Sequence, residues 1–426
     1  MITDVRLRDF KSFRDTRLTV GPFTIVVGTN ASGKSNIRDV FRFLHGIGRG
    51  YSLPEIIGGH YGAGGQVEWA QMRGAANEII RFGQGCFQID VGFKLKEICG
   101  NYHITVERNM QGRGGFRVTS EALTRDLRYE PTYTSHPGGD DPVADQDDVN
   151  QLMLRMARTE KQKKLGYKFS ARPDQPALSQ IDEFKNAGRL HKVSAQEVMD
   201  LFAGIRFLDL VPDLMRKPAF PGQAILGDSG DNLPTALQSI CTDTARKAIL
   251  MEWIRELTPM DVVDFEFPVD PITGLVQLTL KEGNGTSVSA YSASDGTLRF
   301  LAMLASLLGE NRARVYFFEE IDNGIHPARL RLLLDLIEQQ TRQSSIQVVT
   351  TTHSPDLLSM ISDDTFENTS VVYRSPEANE SRIKRVMDLP HAKELRASQG
   401  LGRLHASGWM EDVLALLDSE TDAPAP

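Results

Sequence analysis

A run of strand-forming residues, Phe23-Thr24-Ile25-Val26-Val27, passes without a break into Gly28-Thr29-Asn30-Ala31-Ser32-Gly33-Lys34-Ser35. No other stretch of the chain limits its fold so strongly. The loop meets every fixed position of G-x-x-x-x-G-K-[ST], a pattern that needs a buried strand before it and a helix after it. The helix is encoded in Ile37, Val40, Phe41 and Leu44, spaced i, i+3, i+4 and i+7, so that one face seats on a sheet. Glycines at Gly28 and Gly33 let successive backbone N–H groups turn toward phosphate oxygens. Lys34 brings a mobile positive charge to the β- and γ-phosphates, and the Ser35 hydroxyl is a ligand for Mg²⁺. The positive end of the helix strengthens the anion site. The expected fold is α/β, and the expected bound groups are ATP and Mg²⁺.

A second segment completes such a site. Val315-Tyr316-Phe317-Phe318 is an apolar strand ending in Glu319-Glu320. The first acid is placed to hold the metal, and the second to polarise the attacking water. Farther on, Ile346-Gln347-Val348-Val349-Thr350 reads as another buried strand, running into Thr351-Thr352-His353-Ser354-Pro355. Ligands of open α/β sheets bind at such strand ends, so His353 is a candidate contact to the γ-phosphate or the water; capping a loop before a proline is its other reading.

Four motifs in this order resemble a known class: Asn30-Ala31-Ser32-Gly33-Lys34-Ser35-Asn36, Ser294-Asp295-Gly296-Thr297-Leu298-Arg299, Phe318-Glu319-Glu320-Ile321-Asp322-Asn323-Gly324-Ile325-His326-Pro327 and Thr352-His353-Ser354-Pro355. They look like those of compact ABC-class AAA-family ATPases of the SMC, RecF and OLD kind, and Asp9-Phe10-Lys11-Ser12-Phe13 looks like that class's N-terminal strand. The resemblance implies a two-lobed ABC-type P-loop ATPase head with an antiparallel β-subdomain and a partly helical insertion. It implies catalytic roles for Glu320 and His353 and metal binding by Ser35 and Glu319. Nucleotide contacts are implied from Gly28, Asn30, Ser32, Gly33, Lys34, Ser35 and Asn36. Ser294 and Gly296 become the signature motif, which meets the γ-phosphate held by a second copy, so that ATP closes a homodimer. A helix starting there, with Leu298, Leu301, Leu304 and Leu308 on one face, offers free N–H donors to an anion; an ordinary helix cap is the alternative. Two features depart from the class. Glu319 stands where Asp is usual, so turnover is expected to be slow, and a glutamine for the loop after the P-loop stays open among Gln66, Gln71 and Gln88.

The 426 residues divide on this reading into an N-terminal lobe (1–120), an insertion (121–204), a C-terminal lobe (205–365) and an extension (366–426) whose acidic tail, Asp418 to Pro426, is expected to be disordered. Phe87 to Leu95 and Tyr102 to Val106 alternate apolar and polar residues as a hairpin should, with a turn expected at Gly100-Asn101. Lys and Arg number 48 against 56 Asp and Glu, a formal charge of −8, so nucleic acid would have to meet a local basic patch rather than the overall field. Three cysteines, Cys86, Cys99 and Cys241, lack CxxC spacing and argue against both disulfides and structural zinc. No apolar run approaches the length of a membrane span, and the N-terminus lacks a signal-peptide layout; a cytoplasmic protein is expected, without a membrane partner.

The output of such an ATPase must reach another molecule. Ser35 and Ser294 are too close, with too many prolines and glycines between, for a long coiled-coil arm. Too few residues follow Pro355 for a nuclease domain, so none is expected in this chain. The resemblance is closest in kind to ATPase subunits of bacterial anti-phage systems, which implies a separately encoded effector, for instance a nuclease with a Toprim-like fold. Leu401 to Met410, with Arg403 and Trp409, is a candidate docking element, or else a C-terminal helix packing on its own domain. DNA is the alternative partner, as for a RecF- or SMC-like repair ATPase. The run from Arg155 to Arg172 is rich in Lys and Arg, with Tyr167 and Phe169 interleaved; a solvated helix face is its other reading. Asp140, Asp141 and Asp145 read as an acidic loop.

Overall fold

The computed structural model describes all residues except 110–114, 129–130, 136–150, 158–164, 186, 258–261, 311–312, 345, 376–379 and 422–426. Among the described residues fourteen strands join in one sheet. Five of them lie parallel, in the order Thr369–Ser375, Phe23–Val27, Gln347–Thr352, Val315–Phe318, Ile205–Leu208. The rest form an antiparallel array built around Ile2–Phe10, Phe13–Thr19, Cys86–Leu95, Ile98–Arg108 and Phe116–Thr124. Glu380–Arg385 joins the two regions, pairing along Thr369–Ser375 and touching Phe13–Thr19 through Ser381.

The parallel strands are apolar on both sides because helices cover both sides. Phe23, Ile25, Val27, Tyr316, Phe318 and Val348 enter one core, with helices Leu233–Thr242, Asp295–Leu308 and Pro327–Gln343. Val26, Phe317 and Val349 enter the other, with helices Lys34–Gly48 and Arg189–Ala203 and the inner face of the antiparallel strands. Ile37, Val40, Phe41 and Leu44 are all buried there, as their spacing requires.

Three sequence expectations change. The first hairpin turns at Lys96-Glu97, where Leu95 pairs Ile98 and Lys96 takes a φ of 54°. Gly100 is a ladder residue opposite Phe93, and a Cβ on it would lie 2.4 Å from the Phe93 ring and 2.6 Å from the Arg125 carbonyl. Its glycine serves close packing, so the turn signal misleads. The basic run is not a helix face: its described parts lie on the hairpin Leu152–Ala157 and Leu165–Ala171 and just beyond, where Arg155 is buried, Lys168 is exposed and Arg172 donates to Gln175 and Glu183. Its centre, and the acidic loop at Asp140, Asp141 and Asp145, lie outside the described residues. The tail expected to be disordered begins inside a helix, Trp409–Thr421, with only 422–426 outside the described residues.

The segment Leu401 to Met410 packs on its own domain. Leu401, Leu404 and Met410 are buried, and Trp409 is half-buried against the same core. Gly402 passes so near helix Pro355–Met360 that a Cβ would lie 2.0 Å from the Pro355 carbonyl oxygen. Among the described residues no helix is long and apolar enough to cross a membrane.

Candidate nucleotide site

Strand Phe23–Val27 delivers the glycine-rich loop to the carboxyl edge of the parallel strands, and helix Lys34–Gly48 leaves from it. Two glycines are demanded by packing. A Cβ on Gly28 would lie 2.2 Å from the Val372 carbonyl oxygen. Gly33 has a φ of 116°, open to glycine alone without strain, and sits against the Ser381 hydroxyl. Ala31, also at positive φ, and Asn30 are exposed on the outer turn. Ser32 is buried, and its Oγ has no hydrogen-bond partner among the described residues. A buried hydroxyl left without a partner marks a position that a ligand can satisfy. Lys34 is 9% exposed and folds back to donate to the carbonyls of Gly28 (2.5 Å) and Thr29 (2.8 Å). Burial pulls its ammonium below the ordinary lysine value, opposed by the charge of Glu320. Asn36 points away, donating from Nδ2 to Ser12 Oγ at 2.7 Å, and so fastens the helix to the turn between the first two strands.

An open cleft of about 460 Å³ brings Lys34 and Ser35 together with Glu319, Glu320 and Thr351. Glu319 continues the line of strand Val315–Phe318. Glu320 breaks from it: at φ 48° its N–H turns back to Thr351 Oγ1 (3.1 Å) on the neighbouring strand, and its Oε1 comes to 3.5 Å from His353 Nδ1. Left-handed backbone at a non-glycine is uncommon and costs energy, and here it aims the second acid differently from the first. Asp322 accepts from Thr352 Oγ1 at 2.8 Å, locking the turn after the acids to the strand that leads to His353.

Ser294 and Gly296 lie apart from this cleft, at the start of helix Asp295–Leu308. Ser294 is exposed and caps the helix, accepting from the Thr297 N–H at 3.2 Å. Gly296 abuts the turn after the acids, where a Cβ would lie 2.4 Å from the Gly324 carbonyl oxygen. Asp295 accepts from Arg216 at 2.5 Å.

Several cleft residues escaped sequence reasoning. Arg73 donates from both terminal nitrogens to Glu319, at 2.8 and 2.5 Å. Arg38, one turn beyond Lys34, bonds Asp209 and comes within 3.7 Å of Glu319. Arg299 also lines the cleft. Arg38 carried one usable signal, a charge at i+4 from the P-loop lysine on a face of otherwise buried residues. Arg73 carried none. Gln66, Gln71 and Gln88 are absent from the cleft wall; Gln88 accepts from Arg8 instead.

The donor set fits the implied groups. Ser35 and Glu319 offer hard oxygens suited to Mg²⁺, while the strand, glycine loop and helix start form the phosphate cradle. Solved structures similar over 90% of the chain include an SMC head bound to the C-winged helix domain of ScpA, at 15% identity, 97% of that chain and a TM-score of 0.49. The SMC head domain from Thermotoga maritima is similar at 13% identity, 98% of that chain and 0.43. An SMC head with an extended coiled coil, bound to the C-terminal domain of ScpA derived from Pyrococcus furiosus, is similar at 13%, 95% and 0.44. No curated protein matches the chain. Residues 116–359, more than half of the chain, match the family described as "AAA domain, putative AbiEii toxin, Type IV TA system", and with both acids and His353 inside the matched span the chain belongs to that family of ATPases.

Proposed function

We propose that this chain binds Mg·ATP on the Gly28–Ser35 loop, hydrolyses it with Glu320 as base, and pairs with a second copy through Ser294 and Gly296 while ATP is bound. The cycle controls a separately encoded effector in anti-phage defence. One observation carries the reading: Lys34, Ser35, Glu319 and Glu320, far apart in sequence, converge on one cleft at the carboxyl edge of parallel strands. Mg²⁺, held by Ser35 and Glu319, would neutralise charge on the phosphates. Lys34 exchanges its two loop carbonyls for phosphate oxygens, a trade of neutral acceptors for charged ones. Glu320 takes a proton from the attacking water, and His353, beside it, holds the carboxylate in position. The exposed start of helix Asp295–Leu308, capped by Ser294, leaves backbone donors to meet the partner's nucleotide.

The toxin–antitoxin system named in the family's description supports the defence role, and we expect no nuclease activity from the chain itself. For the repair-ATPase alternative, Lys161, Lys163 and Lys164 lie outside the described residues, and no described residue favours direct DNA binding over the effector reading.

Lys34→Ala should weaken ATP binding by roughly a hundredfold, the loss of a charge-assisted contact. Glu320→Gln should keep binding, slow hydrolysis by about a hundred- to ten-thousand-fold, and accumulate as a dimer with ATP. Nucleotide titration and light scattering read both. A Gln variant that stays monomeric at saturating ATP would rule out the paired site.

A further inference from the structure

Glu319, the acid assigned to the metal, is already engaged. Arg73 meets its two oxygens as a fork, Nη1 to Oε1 at 2.8 Å and Nη2 to Oε2 at 2.5 Å, and Arg38 stands 3.7 Å away. A guanidinium in this arrangement uses the in-plane lone pairs of both oxygens. A divalent cation held by the same edge of the carboxylate needs those same lone pairs, and while the fork is made only the outer lone pair of each oxygen is left to it. The guanidinium's positive charge beside that carboxylate also opposes the cation, so the two compete.

The two arginines differ in their freedom to leave. Arg38 has a side chain only 5% exposed, bonded to Asp209 and lying over the Phe207 ring. It stays. The Arg73 side chain is 47% exposed, on a loop between buried Met72 and Gly74, whose φ is 83°. Its backbone, however, is tied down. The Arg73 carbonyl accepts from Lys11 Nζ at 2.8 Å, and the same nitrogen bonds Asp39, buried on the helix that begins with Lys34. A free side chain on a fastened backbone can swing away and return to one place.

We infer that Arg73 is a gate on the metal carboxylate: a divalent cation that takes the inner edge of Glu319 displaces its guanidinium, and the Lys11–Asp39 tie returns it when the cation departs. This rests on the ATP-site reading above. It gives the loop at residues 70–75 a regulatory part, setting how much cation is needed before the site is competent.

The test is a Mn²⁺ titration of the full chain with a non-hydrolysable ATP analogue, followed by electron paramagnetic resonance, beside nucleotide binding measured in EDTA. Arg73→Ala should take Mn²⁺ about three- to tenfold more tightly than the parent chain, the range for an exposed but bidentate ion pair. Arg73→Lys, which keeps the charge and loses the fork, should fall between, and it decides the matter if the alanine variant does not fold. Nucleotide binding in EDTA gives each variant its own reference, so that a change in Mn²⁺ affinity is read apart from any change in the nucleotide contact. Mn²⁺ affinity equal to or weaker than the parent's, with nucleotide binding kept, overturns the gate and leaves the ATP site standing. A parent chain that binds no nucleotide overturns both.

Discussion

His45 shows how a single side chain reports on the packing behind the site. It lies on the P-loop helix, its Nδ1 3.1 Å from the Phe202 carbonyl, between the rings of Trp69 and Phe207. Burial lowers its pKa to about 4. The unfolded chain therefore binds a proton between pH 6.5 and 4 that the folded chain refuses, so stability from this group is complete above about pH 6.5 and drains away as pH falls to 4. The whole effect is on the order of 3 kcal/mol. Denaturant unfolding between pH 4 and 7 should show that slope in the parent chain and lose most of it in His45→Gln; an unchanged slope would remove His45 as its source. Such residues are poorly legible in sequence. Gly28, Lys34 and Ser35 announce themselves because phosphate binding needs those types at fixed spacing. Arg73 and Glu121 do not. Glu121 is wholly buried, accepting from Tyr102, Tyr133 and the N–H groups of Ala177 and Leu178, and its partners come from three separate stretches of chain.

Between elements, one close joint beside the cleft is the start of helix Asp295–Leu308 against the turn after Glu320. Gly296 is the residue that permits it, and the atom a Cβ would strike is a backbone oxygen, which has no rotamer to escape into. Gly296→Ala should cost about 1–3 kcal/mol, as overpacking does. Ser294→Ala removes the cap alone and should cost about 1 kcal/mol. Urea midpoints of the two variants give the comparison; a Gly296→Ala chain as stable as its parent would mean that the joint is loose. Elements with strong periodicity were legible: the P-loop helix, the helix Asp295–Leu308 and the apolar strands all form where their patterns place them. The elements misread were those in which a local signal competes with tertiary packing. Gly100-Asn101 looks like a turn but is drawn into the ladder, and the basic run pairs as a hairpin because Leu152, Leu154 and Met156 alternate on a buried face.

Across the whole molecule, the antiparallel and parallel regions are one hydrogen-bonded surface. Thr369–Ser375 lies directly beside the P-loop strand, Val371 and Val372 are buried in opposite cores, and the Val372 carbonyl backs Gly28. A chain ended after Met360 should therefore lose both nucleotide binding and a cooperative melting transition, measurable by circular dichroism. Retention of either would show these strands to be appended rather than integral. This joint was hidden in the sequence. Glu380–Arg385 carries a single apolar residue, Ile383, so hydropathy gives no hint that it closes the sheet.

The two neighbours of the Phe23–Val27 strand are Gln347–Thr352 and Thr369–Ser375. During synthesis they emerge roughly 325 and 345 residues after it, which at ribosomal speeds of about 5–20 residues per second is a delay of roughly 16 to 70 seconds. Throughout that interval a ribbon that is greasy on both sides has no native strand beside it. Nascent chains of this protein must therefore shelter their ATP-binding end, with help from a chaperone or by provisional pairing, and the pace of translation becomes a determinant of how much active product a cell obtains.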